Sequence, residues 1–583
     1  MKTADSHLWK RFWALASPFW REDEKWKAWG LLALLVILIL GQTRFAVLFN
    51  EQTGEFTSAL AARDEERFWD SIKFCLGLLI VAVPIYAFYY FVRDKLAIHW
   101  RRWLTHRFLD SYFSHRHFYE LNANATIDNP DQRVAEDIAT FTQRSLFFVL
   151  IIISSLLQLV AFSSVLWSIS RELVYFLVFY ALAGTLIVIF VFGQRLMTLN
   201  FNQLRREADF RFSLVRVREN AESIAFYRGE EQELKQVKGR FADAFNNFNR
   251  LIRNQLGLNF FQHAYNLLTL VIPSAIIASR VLSGELEVGR AVQAAGAFAA
   301  VLSAISLIVE NFEGLSRFAA GVDRLDTLLK VLPGQPANEV ANPVANPAAN
   351  LAAIGNRNTN TIRSVEASHL ALEDVTLHTP NYDRILVRNL SVSVKPGEGL
   401  MIVGESGCGK SSLLRAIAGL WHSGSGTILR PGADDILFLP QQPYMLLGTL
   451  RSQLLYPNTA HAIADDELCA LLEKVNLPDL ASRFGGLDAH EDWHKVLSIG
   501  EQQRLAFARL LLTRPRFAIL DEATSALDIA NEASLYRQLA EIDTTLVSVG
   551  HRSTILRFHT QVLELKGDCE WQSHAAAAYR FDH

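Results

Sequence analysis

Six apolar stretches in the first half of the chain lie near residues 29–49, 74–92, 146–167, 174–192, 259–278 and 291–309. Each is long enough to cross about 30 Å of hydrocarbon as a helix. A backbone in lipid must satisfy its own hydrogen bonds, so such stretches fold as helices packed on helices. Six crossings return both ends to one side, and the flanking charges say which. Lys10, Arg11, Arg21, Lys25 and Lys27 precede the first stretch, and Arg93, Lys95, Arg101, Arg102 and Arg107 follow the second. Between those two stretches lie Glu51, Glu55, Asp64, Glu65, Glu66 and Asp70. Basic residues resist translocation, so both termini are expected in the cytoplasm.

Composition agrees with a chain partly in lipid. Of 583 residues 50% are hydrophobic and only 20% are charged, and the mean hydropathy is +0.14, above what soluble chains usually reach. Lys and Arg number 57 against 60 Asp and Glu, a net charge of -3, so the basic excess of a nucleic-acid binder is missing. Cys75, Cys408, Cys469 and Cys569 are scattered, which argues against a disulfide framework, a zinc site or an iron-sulfur site.

Residues 1–28 carry Trp9, Phe12, Trp13, Phe19 and Trp20 without a compact apolar core and a small-residue cleavage site. They are expected to form an interfacial amphipathic helix, not a cleaved signal. The connections after the second and fourth stretches are long. In them Ala135, Ile138 and Phe141, and again Ile224, Phe226 and Tyr227, follow helical spacing, so the spans of the membrane domain, 29–330, are expected to continue as helices into the cytosol. Pro84 and Pro273 fall inside predicted spans, where a missing N–H bends a helix. Residues 331–363 turn to Pro, Ala and Asn, too little apolar surface to offset ordering entropy, and are read as a mobile linker. From 364 to 583 strand-like and helix-like patterns alternate, which predicts one α/β domain.

The chemistry is concentrated in that second half. Gly404, Glu405, Ser406, Gly407, Cys408, Gly409, Lys410 and Ser411 spell GxxxxGKS after a strand-like run, and a helical pattern opens at Ser412. Glycines let backbone N–H groups close around phosphates, Lys410 reaches the outer ones, and the Ser411 hydroxyl suits Mg2+. A nucleoside triphosphate site follows, with Ser412 counted in it. Further on, the apolar run 517–520 delivers Asp521 and Glu522 at its end. Asp521 suits Mg2+ and Glu522 suits a general base for an attacking water. Between the two motifs, Ser498 and Gly500 precede a helix-forming run, a second helix N-terminus able to hold phosphate.

LSIGEQQR, residues 497–504, resembles the LSGGQ signature of ABC ATPases. The other ABC motifs follow in order. Gln441 in FLPQQP resembles the Q-loop glutamine, the run 525–528 ending in Asp528 the D-loop, and His551 the switch histidine. The resemblance implies an ABC nucleotide domain after a six-helix membrane domain with an exporter-like fold. It also implies a head-to-tail homodimer in which Ser498 and Gly500 of one copy close on ATP held by Lys410 and its loop in the other. Gln441 would then sense Mg2+, and His551 would hold the γ-phosphate beside Glu522. Two departures stand out: Ile499 replaces the usual first Gly of the signature, and Glu501 replaces Gln. Both are read as tolerant positions. Tyr382 is the aromatic residue nearest the place where the family stacks adenine.

Residues 129–137 and 219–230 resemble the intracellular segments of subfamily D ABC transporters, the peroxisomal acyl-CoA and lysosomal cobalamin carriers, and of bacterial SbmA/BacA-like proteins. Asn129 or Asp131 also suits a plain helix cap. Bacterial members with a fused ATPase domain are similar to mycobacterial importers of cobalamin and other hydrophilic molecules, and to carriers of antimicrobial peptides. The resemblance implies a protein of the bacterial inner membrane that moves a small hydrophilic solute or peptide, with uptake set ahead of export. Its alternatives are an ATP-gated channel and an exporter of acyl-CoA or lipid-like molecules. Gln42, Arg44, Asn50, Gln158, Gln262, His263, Asn266, Gln293, Glu310 and Asn311 fall in the spans, where polar groups are costly and either line a wet cavity or bond helix to helix.

Overall fold

The computed structural model describes residues 2–22, 24–123, 130–310, 312–332 and 361–581. Asn129, Asn311 and most of the predicted linker, residues 333–360, lie outside them, as does the side chain of Glu310. The chain divides into two compact units, Met1–Ala341 and Asn342–His583.

In the first unit helix α1 (Lys2–Ala16) is followed by α2 (Lys25–Ala62) and α3 (Glu65–Phe113). Next come α4 (Ile138–Ile169), α5 (Arg171–Ile187) and α6 (Gln194–Glu219). The short α7 (Ala221–Tyr227), α8 (Glu230–Leu282), α9 (Val288–Glu310) and α10 (Phe312–Val331) complete the unit. Among the described residues six helices are long and apolar enough to span a membrane. The connections after the first and third spans are short: Arg63 and Asp64 join α2 to α3, and Ser170 alone joins α4 to α5. Asp64 and Ser170 each cap the helix that follows, accepting from the N–H of Arg67 and Leu173. Over their described residues the long connections are helical, as their spacing predicts. A π-helical stretch, Val188–Gly193, carries α5 into α6, so residues 171–219 run as one 49-residue helix. Both α3 and α8 continue through their internal prolines, Pro84 and Pro273.

The N-terminal helix α1 is amphipathic in its packing. Phe12 lies against Phe141 and Phe318, and Phe19 just beyond the helix stacks on the buried Trp100 at 5.5 Å. Arg11 pairs with Asp323 and Asp326 of α10. Trp9 and Trp13, whose rings touch that of Phe12, stay exposed. Two helix crossings in this unit are close. Along one side of α2, Asn50, Gly54 and Ser58 face Gly289, Gln293 and Gly296 of α9. Asn50 donates to the Gln293 carbonyl at 3.1 Å, and Ser58 Oγ accepts from the Gly289 N–H at 3.0 Å. Tyr180 of α5 and Tyr265 of α8 stack at 4.2 Å with planes 6° apart, each hydroxyl donating to the other's carbonyl at 2.8 Å.

The second unit holds two main sheets. The smaller, in order β1-β5-β2-β3, is built from β1 (Arg363–Glu366), β2 (Leu370–His378), β3 (Ile385–Val394) and β5 (Gly424–Arg430). The larger comprises β4 (Leu400–Gly404), β6 (Ile436–Leu439), β7 (Phe517–Asp521), β8 (Thr545–Val549), β9 (Gln561–Lys566) and β10 (Glu570–Ala575). Its order is β10-β9-β4-β8-β7-β6, parallel except for the β9-β10 pair. Strands β4, β7 and β8 are buried nearly throughout, which explains their unbroken apolar runs. Three helices matter below: α11 (Lys410–Ile417), α12 (Ile499–Thr513) and α13 (Ile529–Glu541).

Candidate functional site

Register brings the chemistry together. Val549 at the end of β8 pairs with Ile402 of β4 on one side and Asp521 of β7 on the other. The three parallel strands therefore end level, and their following residues, the 404–409 loop, Asp521 with Glu522, and His551, share one edge. That is where ligands bind open parallel sheets.

The loop after β4 is shaped by glycine. Gly404, Gly407 and Gly409 have φ of 145°, 84° and 103°, values other residues adopt only with strain. At Gly409 a Cβ would also press to 3.2 Å from Leu386 at the start of β3. Lys410 is buried and its Nζ donates to the Gly404 and Glu405 carbonyls at 2.7 and 2.8 Å, so its charge points into the loop it follows. Ser406 is exposed on the loop, and Ser411 and Ser412 open α11 behind Lys410.

Ser411 Oγ donates to Asp521 Oδ1 at 3.4 Å. Burial pushes the Asp521 carboxyl up despite that bond, with the neighbouring Glu522 acting in the same sense. A hydroxyl beside a partly buried carboxylate is a donor pair that suits a hard divalent cation. Glu522 leaves β7 with φ of 47°, its N–H donating to the Val549 carbonyl at 3.2 Å. This left-handed turn aims the side chain at two partners. Gln441 Nε2 donates to one carboxylate oxygen at 3.1 Å, and His551 Nε2 lies 3.3 Å from the other. The expected Q-loop glutamine, the strand-end acid Glu522 and the switch histidine thus meet on a single carboxylate.

Ser498 and Gly500 engage other partners. Ser498 caps α12 in a reciprocal box: its Oγ accepts from the Glu501 N–H, and Glu501 Oε2 accepts from the Ser498 N–H at 2.8 Å and its hydroxyl at 2.9 Å. Gly500 lies against the D-loop, where a Cβ would meet the Ala526 carbonyl oxygen at 3.2 Å. Asp528 caps α13, accepting from the Asn531 N–H at 2.7 Å, a bond that holds its carboxyl below the usual range. Tyr382 sits with φ of 60° in the turn between β2 and β3, its ring 5.1 Å from His378. Four residues on, Leu386 abuts the phosphate loop.

Two residues of the site escape sequence reading. Gln503, almost wholly buried on α12, donates to the Gln441 carbonyl at 3.1 Å and to Ser525 Oγ at 3.2 Å, and accepts from the Ala526 N–H at 3.1 Å. One carboxamide therefore sets the signature helix, the Q-loop and the D-loop in register. Arg552, next to His551, donates to the Leu527 and Ser525 carbonyls. Their only sequence signal is adjacency to a motif, because the partners lie up to 62 residues away. Gln503→Leu would remove three hydrogen bonds, each worth about 0.5–1.5 kcal/mol net, and free the Q-loop and D-loop from the signature helix. Hydrolysis is expected to fall about tenfold with nucleotide binding retained, read by steady-state turnover beside equilibrium binding.

Comparison with known proteins agrees with this geometry. Residues 23–282 match the family described as ABC transporter transmembrane region 2, and residues 387–525 match the family described as ABC transporter. An uncharacterized ABC transporter ATP-binding protein of Synechocystis is 48% identical over 94% of this chain and 82% of its own length. The chloroplastic ABC transporter D family member 2 of Arabidopsis thaliana is 39% identical over 96% of this chain and 86% of its own. The human lysosomal cobalamin transporter is 31% identical over 94% and 93%. The family matches fall in both units, and the chain belongs to the ABC transporters, as a fused half-transporter similar to subfamily D whose ATP hydrolysis is coupled to transport.

Proposed function

We propose that the protein works as a homodimer that takes up a hydrophilic solute of the cobalamin or peptide class across the bacterial inner membrane, with both termini cytoplasmic. The polar face of α8 carries this reading. Asn259, Gln262, His263 and Asn266 recur at helical spacing within a membrane-spanning segment, and Asn259, His263 and Asn266 are exposed on the single chain. Gln262 and Asn266 line a small cavity with Thr185 and Tyr265. By contrast, Asn50, Gln158 and Gln293 are bonded within their own bundle. Polar side chains left open in a membrane helix need water or a second copy around them, and a wet cavity between copies suits a polar cargo. Similarity to the cobalamin transporter supports that class, and the resemblance to mycobacterial importers supports uptake.

In the nucleotide domain, the Gly404, Ser406, Gly407 and Gly409 loop with Lys410, Ser411 and Ser412 holds the phosphates of ATP. Tyr382 stacks on the adenine. Ser411, Asp521 and Gln441 hold Mg2+, which when bound offsets phosphate charge and orients the γ-phosphate. Glu522, oriented by Gln441 and His551, accepts a proton from the attacking water. Ser498, Gly500 and Asp528 of the second copy complete the site. Closure on ATP re-angles the helices, and loss of the γ-phosphate reopens them.

Reconstituted vesicles with the nucleotide domains facing the bath test the transport reading. Preloaded cobalamin is expected to leave against its gradient when ATP is added, and not with Glu522→Gln. Uphill filling would mean export, and ATP-dependent flux that only runs downhill would mean a gated channel. Parallel loads of a proline-rich peptide and an acyl-CoA decide the cargo.

A further inference from the structure

The signature of this chain carries an acid, Glu501, at the helix end that must receive a triphosphate. Like charges meeting there oppose closure. Glu501 is tied on both oxygens: Oε2 takes the Ser498 N–H and hydroxyl, while Oε1 takes Arg483 Nη1 at 2.8 Å. Burial works against the charge, yet the bonds from Arg483 and Ser498 outweigh it and hold the carboxyl below its usual range. Among the described residues the cation paired with Glu501 is Arg483. Arg483 ends the helical turn Leu480–Arg483 and is held in place: its guanidinium lies 5.0 Å over the Phe484 ring, which packs edge-on at 5.2 Å against Trp493. Trp493 is buried and donates to the Gly448 carbonyl at 2.8 Å. Arg504, the nearby cation on α12, is bonded to the Gly500 and Asn476 carbonyls instead.

We infer that Arg483 is a positioning residue for nucleotide-driven closure: it offsets the charge of the Glu501 carboxylate and holds it in the capping box from its other oxygen, so that Ser498 and the α12 N-terminus can receive the γ-phosphate of a triphosphate held by a second copy. The inference rests on the two-copy nucleotide site proposed above. It explains how a signature with Glu in place of Gln remains fit for phosphate, and it makes residues 483 and 501 one unit separated by 18 positions.

The test uses the full-length protein in lipid nanodiscs. Arg483→Ala is expected to raise the ATP concentration for half-maximal hydrolysis about five- to tenfold, with kcat changed less than about threefold. Adding Glu501→Gln, which can still form the capping box, is expected to restore it to within about twofold, and Arg483→Lys is expected to stay equally close to wild type. An unchanged half-saturation in Arg483→Ala, or a double variant as impaired as the single one, overturns the inference. Should Arg483→Ala not yield folded protein, Arg483→Gln with and without Glu501→Gln is held to the same two outcomes. ATP retained after rapid desalting in a Glu522→Gln background separates the layers. No retention sinks the two-copy site itself, whereas full retention at equal ATP with Arg483→Ala added sinks only the role of Arg483.

Discussion

Glu522→Gln is expected to bind ATP as the unaltered protein does while hydrolysing it about 10²–10³ times more slowly. The carboxylate stands at the convergence of three strand ends, touched by Gln441 on one oxygen and facing His551 across the other. Neither neighbour replaces a base: an amide accepts no proton at neutral pH, and in the proposed site His551 is engaged by the γ-phosphate. The substitution keeps the shape and removes only the proton acceptor, so binding through Lys410 and its loop survives. Radiolabelled ATP binding measured beside phosphate release decides the matter, and turnover within about threefold of wild type would falsify the base assignment.

Gly289→Val is expected to be the most damaging change in the membrane unit. A Cβ at residue 289 would lie within the Gly54 carbonyl oxygen and against Ser58 Oγ, and at Gly54 it would meet the Gly289 oxygen at 2.8 Å. Backbone, not a flexible side chain, fills that space, so α2 and α9 must separate and the Ser58 to Gly289 bond is lost. Overpacking of this kind costs about 2–4 kcal/mol, and small residues at such crossings are what let membrane helices approach. A fall of roughly 5–10 °C in the thermal midpoint of the detergent-solubilised protein is expected. Gly77→Val is the control, since a Cβ at that helical glycine meets nothing within 4 Å. Equal midpoints for the two variants would remove the close crossing as a source of stability.

The parts legible in the sequence are those whose signal is contiguous. A span announces itself by about twenty apolar residues, and the phosphate loop by glycines whose positive φ no other residue adopts cheaply. Because parallel strands have their residues in level register, knowing that 517–520 is a buried strand already places Asp521 and Glu522 at the correct edge. What sequence could not give are bonds between distant segments: Asn50 to Gln293 across 243 positions, or Gln503 to Gln441 across 62. Polar residues in the spans left two fates open, and for Asn50 the fold supplies the helix-to-helix one by pairing it with α9. Glu501 shows the same limit. Read alone it is a tolerated substitution, whereas in the fold it closes a capping box and pairs with an arginine from a separate helical turn.

The tyrosine pair of α5 and α8 has a mechanical consequence. With Tyr180 and Tyr265 stacked and doubly hydrogen-bonded, those helices are riveted at one level. The 49-residue helix 171–219 is roughly 75 Å long at about 1.5 Å per residue, and Tyr180 sits near one end of it. The remaining length, interrupted by the π-helical stretch Val188–Gly193, reaches far from that contact. A travel of several ångströms at Glu219 would correspond to only a few degrees of swing at that level.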